Sequence, residues 1–181
     1  MKRKGNFGCL PTAIGSMPHT DPVAACREVA RYLPEIPAWP QLPARSPLEG
    51  MYAQFSEGFP GLQADEGRFV IDRSGAFDAE LEKLYQAYIS GDLDCCPTGP
   101  GHAAGLHAFL SMRDLAPVAV KGQITGPITW GLGVTDREGR PVLYDDTLAD
   151  AVAKFLRLKA AWQEKQLRTV ARHTIIFVDE P

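Results

Sequence analysis

Three short segments of this sequence carry side chains that could bind a small molecule, and each follows an apolar run. Ile14-Gly15-Ser16 combines a glycine, which allows close approach to the backbone, with a neighbouring hydroxyl. Lys121 and Gln123 lie on the polar face of a later alternating segment, and Asp179-Glu180-Pro181 follows the last apolar run. An ionised Asp179 can pair with a substrate ammonium, and a serine hydroxyl can hydrogen-bond a substrate carboxylate. These residue types could bind a small polar molecule.

Strands and helices alternate along the chain around these segments, which predicts an α/β fold. Asp21-Pro22 and Asp145-Asp146 have the form of helix N-termini, and Gly91 has the form of a helix end. Prolines limit the second strand to a short or edge position. We predict strands over 10–14, 36–39, 118–125 and 174–178, a hairpin turn at 65–67, and helices from 22, over 47–55, 77–90, 101–112 and 146–172.

The last predicted strand indicates a parallel sheet, and a parallel sheet would bring the polar segments together. Thr174 to Val178 is wholly apolar after its first residue, a pattern typical of a strand buried on both faces of a parallel sheet. Parallel α/β folds bind their ligands at the carboxyl ends of the strands. Because all three polar segments lie at or near such ends, we expect them to converge on one site.

The three segments together resemble a known family. Thr12 to Pro18, Val120 to Pro127 and Ile176 to Pro181 occur in the order and rough spacing of the catalytic domain of cobalamin-independent methionine synthase. The chain is similar to the N-terminal half of that domain, in the superfamily that also holds uroporphyrinogen decarboxylase. The resemblance implies a (β/α)8 TIM barrel, of which residues 1–181, as a single domain, supply about the first four β/α units.

The resemblance also implies an activity and the residues that serve it. Ile14, Gly15, Ser16 and Asp179 match positions that hold homocysteine in that family, so the implied reaction transfers a methyl group to the sulfur of an amino-acid thiol. The partners would be that thiol and a methyl donor. The implied cofactor is zinc, which activates the thiol. The family's zinc ligands come after the Asp-Glu-Pro motif, at which this chain ends, so no metal ligand is assigned here.

A separate cluster of cysteines and histidines does not predict a metal site of its own. Cys95 and Cys96 are adjacent, which is not the usual spacing of zinc ligands. His102 and His107 fall five residues apart in a predicted helix, so their side chains should point about 140° apart. The chain has four cysteines, too few for a disulfide scaffold of its length. We therefore expect reduced thiols.

Composition excludes several classes of partner. The 181 residues carry a formal net charge of −3, so no global basic field attracts phosphate backbones or anionic lipid. No apolar run approaches the roughly 18 residues of a membrane span, and the basic start Met1 to Lys4 leads into no apolar signal core. We expect a cytoplasmic protein that binds neither nucleic acid nor membrane.

Two alternatives to the methyltransferase interpretation stay open. A uroporphyrinogen decarboxylase-like enzyme should carry arginines near the first strand to hold several carboxylates, yet only Arg3 precedes Arg27. A catalytically incomplete half-barrel could instead act as a binding or assembly module. Four strands of an eight-stranded barrel would leave unpaired edges, a known cause of association. We therefore expect a homo-oligomer, aggregation or a need for the missing C-terminal half.

Overall fold

The computed structural model describes residues 7–65 and 68–180, and within these ranges the fold is mixed α/β. The helices are α1 (Pro22–Tyr32), α2 (Met51–Gln54), α3 (Phe77–Ser90), α4 (Ala104–Leu110), α5 (Pro127–Gly133) and α6 (Asp146–Leu167). The strands are β1 (Leu62–Asp65), β2 (Arg68–Ile71), β3 (Val120–Thr125), β4 (Thr135–Asp136) and β5 (Thr174–Asp179). Single 3-10 turns occupy Pro47–Glu49, Leu93–Cys95 and Val142–Tyr144.

The strands form two small sheets. In the first, β3 and β5 are parallel, and their register runs from Val120 opposite Thr174 to Thr125 opposite Asp179. In the second, β2 lies between β1, to which it is antiparallel, and β4, to which it is parallel. The described residues form no closed barrel.

Two isolated parallel bridges extend the β3–β5 sheet by two further segments. Ala38 pairs with Lys121 of β3, and the amide of Trp39 donates to the carbonyl of Lys121 at 3.3 Å. Ser16 pairs with Gln41, and the amide of Met17 donates to the carbonyl of Gln41 at 2.9 Å. The segments 15–17 and 37–41, followed by β3 and β5, therefore lie side by side in chain order, all parallel. We call this arrangement the four-segment row.

The first two segments of the row are less regular than the sequence predicts. The strand predicted over 10–14 is wrong, because these residues are irregular and the pairing begins at Gly15 and Ser16 instead. The strand predicted over 36–39 is reduced to a single bridge. Pro37 and Pro40 have no N–H to donate, so this segment cannot make a continuous ladder.

Local signals predicted the helix ends better than the helix lengths. Asp21 caps α1 by accepting from the Val23 amide at 2.8 Å, and Asp145 caps α6 by accepting from the Leu148 amide at 2.9 Å. Gly91 ends α3 in the left-handed conformation, with φ of 71°. The predicted long helices 101–112 and 146–172 are shorter at their ends, and the helix predicted over 47–55 divides into the 3-10 turn and α2. β1 and β2, on either side of the predicted hairpin turn, pair antiparallel, while residues 66 and 67 of that turn lie outside the described residues.

Helix α6 crosses the row and anchors the core. Its side chains Phe155 and Leu158 are fully buried, as are Trp39 of the second segment and Val120 of β3. Burial of such side chains is the main favourable contribution to folding. None of the helices in the described ranges is long and apolar enough to cross a bilayer.

The expectation that β5 is buried on both faces is wrong. Phe177 is 46% exposed and Val178 is 56% exposed. In the part of the chain that the structure describes, β5 pairs with β3 alone, so its other edge is open. The described residues therefore leave part of the apolar surface of this strand exposed to solvent.

Candidate functional site

Lys121 connects the first polar segment to β3. Its Nζ donates to the backbone oxygen of Ile14 at 2.8 Å and to Oε1 of Gln123 at 3.2 Å. The ammonium also lies 4.4 Å from the ring centroid of Phe177 on β5. Lys121 is only 1% exposed, although lysine is rarely buried unless it is paired. Three segments of the row thus meet at one buried cation.

Gly15 and Gln123 are in close contact across the row. Gly15 has φ of 123°, where side chains are rarely tolerated, and a Cβ built on it would lie 2.6 Å from Nε2 of Gln123. Glycine is required here for both reasons. Because Gly15 has no side chain, the side chain of Gln123 on β3 can pack against the backbone of the first segment.

Gln123 also belongs to a ring of hydrogen bonds that includes Trp39 and Gln163. Its Nε2 donates to the carbonyl of Trp39 at 3.3 Å, and the indole of Trp39 donates to Oε1 of Gln163 at 3.0 Å. The side-chain Nε2 of Gln163 in turn donates to the backbone carbonyl of Gln123 at 3.0 Å. Both polar atoms of the Gln123 side chain are engaged within the protein, so this residue positions its neighbours.

The carboxylates at the end of β5 take different environments. Asp179 is half-buried and pairs in register with Thr125, at the carboxyl end of both strands. Glu180 accepts from the amides of Ile128 and Thr129 at 3.0 and 2.8 Å and from Oγ1 of Thr129 at 2.5 Å. Glu180 therefore secures the start of α5, whereas Asp179 acts on Lys121 through its charge.

The charges of the site act on one another. Burial lowers the pKa of Lys121 below its usual range, while the charge of Asp179 opposes that shift. Partial burial would raise the pKa of Glu180, but hydrogen bonds from Thr129 and the Ile128 amide hold it below its usual range. Near neutral pH, Glu180 is therefore ionised and committed to its cap.

The structure brings together most of the residues that the sequence predicts for this site. Ile14, Gly15, Lys121 and Gln123 are in mutual contact, and Asp179 is near enough to act on the charge of Lys121. Ser16 is exposed and is held by the bridge to the second segment.

A cavity of about 250 Å³ lies beside the first polar segment. It separates that segment from α1, and its lining includes Ile14, Gly15, Ser16, His19, Val29 and Tyr32. Nδ1 of His19 is buried and has no hydrogen-bond partner. The loop that carries the predicted binding residues therefore borders a partly open cavity on its helix side.

Two buried polar residues, Thr125 at the end of β3 and Glu49, are not among the predicted site residues. Thr125 is 1% exposed and its Oγ1 has no hydrogen-bond partner. Glu49 is 1% exposed, and although one carboxylate oxygen pairs with Arg45 at 2.6 Å, Oε2 has no partner. Ser46 to Glu49 has the S-x-x-E form of a capping box, which is a sequence signal for a local rather than a ligand-binding role.

The residues present do not supply a zinc site. His102 Nδ1 lies 3.4 Å from a Glu57 oxygen, whereas His107 Nε2 is 2.9 Å from the carbonyl of Thr98. In residues 7–65 and 68–180, no three His, Cys, Asp or Glu side chains are grouped to hold a metal ion. We therefore assign no chemical step to a metal held by these residues.

A larger cavity of about 880 Å³ lies away from the row. Its lining includes Glu57, Phe59, Asp72, Cys95, Cys96 and His102, and none of the residues predicted from the three motifs. Size alone would favour this cavity as a binding site. The predicted amino-acid site and the larger cavity are therefore two separate features of the chain.

Comparisons with known proteins found no relative of this chain. No family model, no curated protein and no solved structure matches the chain. The function of the site is therefore argued from its own residues and from the motif resemblance.

Proposed function

We propose that this chain is the N-terminal part of a methionine synthase-like barrel that binds an amino-acid thiol of the homocysteine type. The observation that carries the proposal is the four-segment row, in which parallel segments follow one another in chain order. Sequential parallel neighbours joined by helices are the pattern of a β/α barrel. Each of the three motifs on which the family resemblance depends contributes residues to the row.

The convergence of the motif residues supports a binding site at the carboxyl ends of the row. Asp179 pairs with the substrate ammonium, in a charge-assisted hydrogen bond worth roughly 1.5–3 kcal/mol. Ser16 is exposed and donates its hydroxyl proton to the substrate carboxylate. Lys121 acts as a positioning residue, because its ammonium is occupied by the Ile14 carbonyl. The bound thiol is then the acceptor of the methyl group that the family resemblance implies.

The family's thiol activation requires a Lewis acid, since a free thiol of pKa about 8.5 is mostly protonated at pH 7. Zinc supplies that function in methionine synthases. The described residues of this chain offer no ligand set for it, so the proposal for this chain covers substrate binding and orientation.

The open edge of β5 supports the barrel part of the proposal. A fifth strand on that edge would cover Phe177 and Val178, which are now exposed. Such an edge promotes pairing with other strands. We expect self-association of the 181-residue chain in sedimentation velocity, and a compact monomer that melts cooperatively would contradict the barrel.

Calorimetric titration with L-homocysteine tests the binding site. We expect Asp179→Asn to weaken binding by about tenfold or more while the melting temperature stays within a few degrees, since the loss of charge removes one strong hydrogen bond. Asp94→Asn is the matched control, because Asp94 pairs with Lys165 on the surface at 2.8 Å. Unchanged affinity in Asp179→Asn, or loss of folding, would assign Asp179 a structural role.

A further inference from the structure

Cys95 and Cys96 form a pair of thiols that the proposed function does not use. Their Sγ atoms lie only 2.9 Å apart. Cys95 is exposed and Cys96 is buried, and both line the cavity of about 880 Å³. A small molecule that enters this cavity therefore meets the exposed thiol first and finds the second one directly behind it.

The chain around the two thiols is firmly held. Asp92 begins the 3-10 turn that contains Cys95, and its carboxylate accepts from the amide of Asp94 at 3.1 Å. After the pair, the carbonyl of Pro97 accepts from Nζ of Lys159 at 2.8 Å. Lys159 lies on α6 and is 1% exposed. The carboxyl end of the dithiol segment is thus tied to α6, and a local turn shapes its amino end.

The buried thiol of the pair is protonated near neutral pH. Burial and the interaction with Cys95 raise the pKa of Cys96 well above its ordinary value, and the nearby charge of Lys159 offsets only part of that rise. A thiolate nucleophile is therefore disfavoured at Cys96. A thiolate is not required if the ligand binds both sulfurs and the two thiol protons leave as part of water.

Geometry disfavours a direct bond between the two sulfurs. Adjacent residues across a trans peptide have Cα atoms about 3.8 Å apart, whereas disulfides prefer roughly 4.4–6.8 Å. The peptide between Cys95 and Cys96 is trans. One bridging atom lengthens the connection and lets both sulfurs bind without closing that gap. A tetrahedral zinc site would need more ligands than the two sulfurs provide.

We propose that Cys95 and Cys96 form a dithiol binding site for monosubstituted trivalent arsenicals. In the reaction of the hydrated form, RAs(OH)2, which the oxide RAs=O gives in water, two S–H bonds and two As–OH bonds break, two As–S bonds form, and two molecules of water leave. Arsenic stays trivalent, so no oxidant or reductant is needed. Sulfur is the preferred ligand type of such soft centres. The aromatic side chains Phe59, Phe69 and Phe77 line the same cavity and provide apolar space for the organic substituent.

Intact-mass spectrometry with phenylarsine oxide tests this site on the folded chain. We expect one adduct that persists in excess glutathione and is removed by 2,3-dimercaptopropanol, because only a second dithiol competes with a chelate. Cys95→Ser should lower the retained adduct by about tenfold or more, and Cys96→Ser should do the same. Cys9→Ser is the matched control, since Cys9 is an exposed single cysteine, and its adduct should be unchanged.

Three outcomes would overturn the proposal. They are absence of a persistent adduct in the wild type, an undiminished adduct in folded Cys95→Ser, and loss of the adduct in Cys9→Ser. If melting curves show that either serine variant is unfolded, peptide mapping of the wild type decides. Phenylarsine oxide should then protect Cys95 and Cys96 from iodoacetamide, and protection of any other cysteine pair would count against the site.

Discussion

The ammonium of Lys121 holds the backbone carbonyl of Ile14, 107 residues away in the sequence, at 2.8 Å. We expect Lys121→Met to lower the free energy of unfolding by about 1.5–3 kcal/mol, because the Ile14 carbonyl and the Gln123 amide oxygen then lose a charged donor. Urea denaturation measures the change. Lys165→Met is the control, since Lys165 forms a surface ion pair with Asp94, worth about 0–1 kcal/mol. Equal losses in the two variants would mean that the contact with Ile14 contributes nothing specific.

Gly15 is expected to tolerate no side chain. Gly15→Ala combines an unfavourable backbone conformation with a clash against Gln123, so we expect a loss of stability of about 2 kcal/mol or more. Gly139→Ala separates the two effects, because Gly139 also has a positive φ, of 80°, but no atom lies within 4 Å of the position that its Cβ would take. Thermal melts of both variants should show a clearly larger loss for Gly15. A loss no larger than that of Gly139→Ala would show that the contact with Gln123 relaxes freely.

The cap formed by Glu180 predicts a dependence of stability on acid pH. Because its pKa is lowered on folding, its contribution is fully present above its unfolded pKa of about 4.3 and is lost as the pH falls through the lower folded value. We expect Glu180→Gln to cost about 1 kcal/mol at pH 7 and to flatten this part of the stability curve. The exposed Glu82→Gln, measured by urea denaturation from pH 7 to pH 3, should leave the curve of the wild type unchanged. If the stability of Glu180→Gln fell with pH in parallel with that of the wild type, the cap would not be the cause of the acid dependence.

Lys159 predicts a second pH dependence of stability, at alkaline pH and of the same sign. Burial lowers its pKa to about 8, whereas an unfolded lysine has a pKa of about 10.4. Between these values the unfolded chain binds more protons, so the contribution of Lys159 to stability becomes more favourable as the pH rises. We expect the stability difference between the wild type and Lys159→Met to grow in favour of the wild type from pH 8 to pH 10. The stability difference between the wild type and Lys165→Met should not change between pH 8 and pH 10. If the difference for Lys159→Met also did not change with pH, the lowered pKa of Lys159 would be contradicted.

The sequence predicts features that depend on neighbouring residues. Asp21 and Asp145 cap their helices as expected, and Gly91 ends α3, because capping involves only the first or last turn. The strand at Val120 is also found, since its alternation is visible within six residues. The predicted strand over 10–14 fails because pairing is decided by a partner segment, here the one that contains Gln41.

The candidate site depends on contacts that no local pattern contains. The motif resemblance selected Gly15, and the alternation of the predicted strand selected Lys121 and Gln123. The bond from Lys121 to Ile14 and the packing of Gly15 on Gln123, however, join distant parts of the chain. Lys159 left a clearer signal. It falls at helical spacing between the apolar residues Phe155 and Trp162, which places it on the buried face of α6.

The four-segment row implies an order of assembly in folding. The bond from Gln163 to the Gln123 carbonyl spans 40 residues, whereas that from Lys121 to Ile14 spans 107, so closing the second loop costs about 0.9 kcal/mol more in chain entropy. The first segment contributes one bridge, while β3 and β5 share a six-residue ladder. We therefore expect β3, α6 and β5 to form before the first segment docks. Local opening of the Ile14-Gly15-Ser16 loop would then dismantle the site while the core stays folded, and the Met17 amide would exchange its hydrogen faster than the amides of β3.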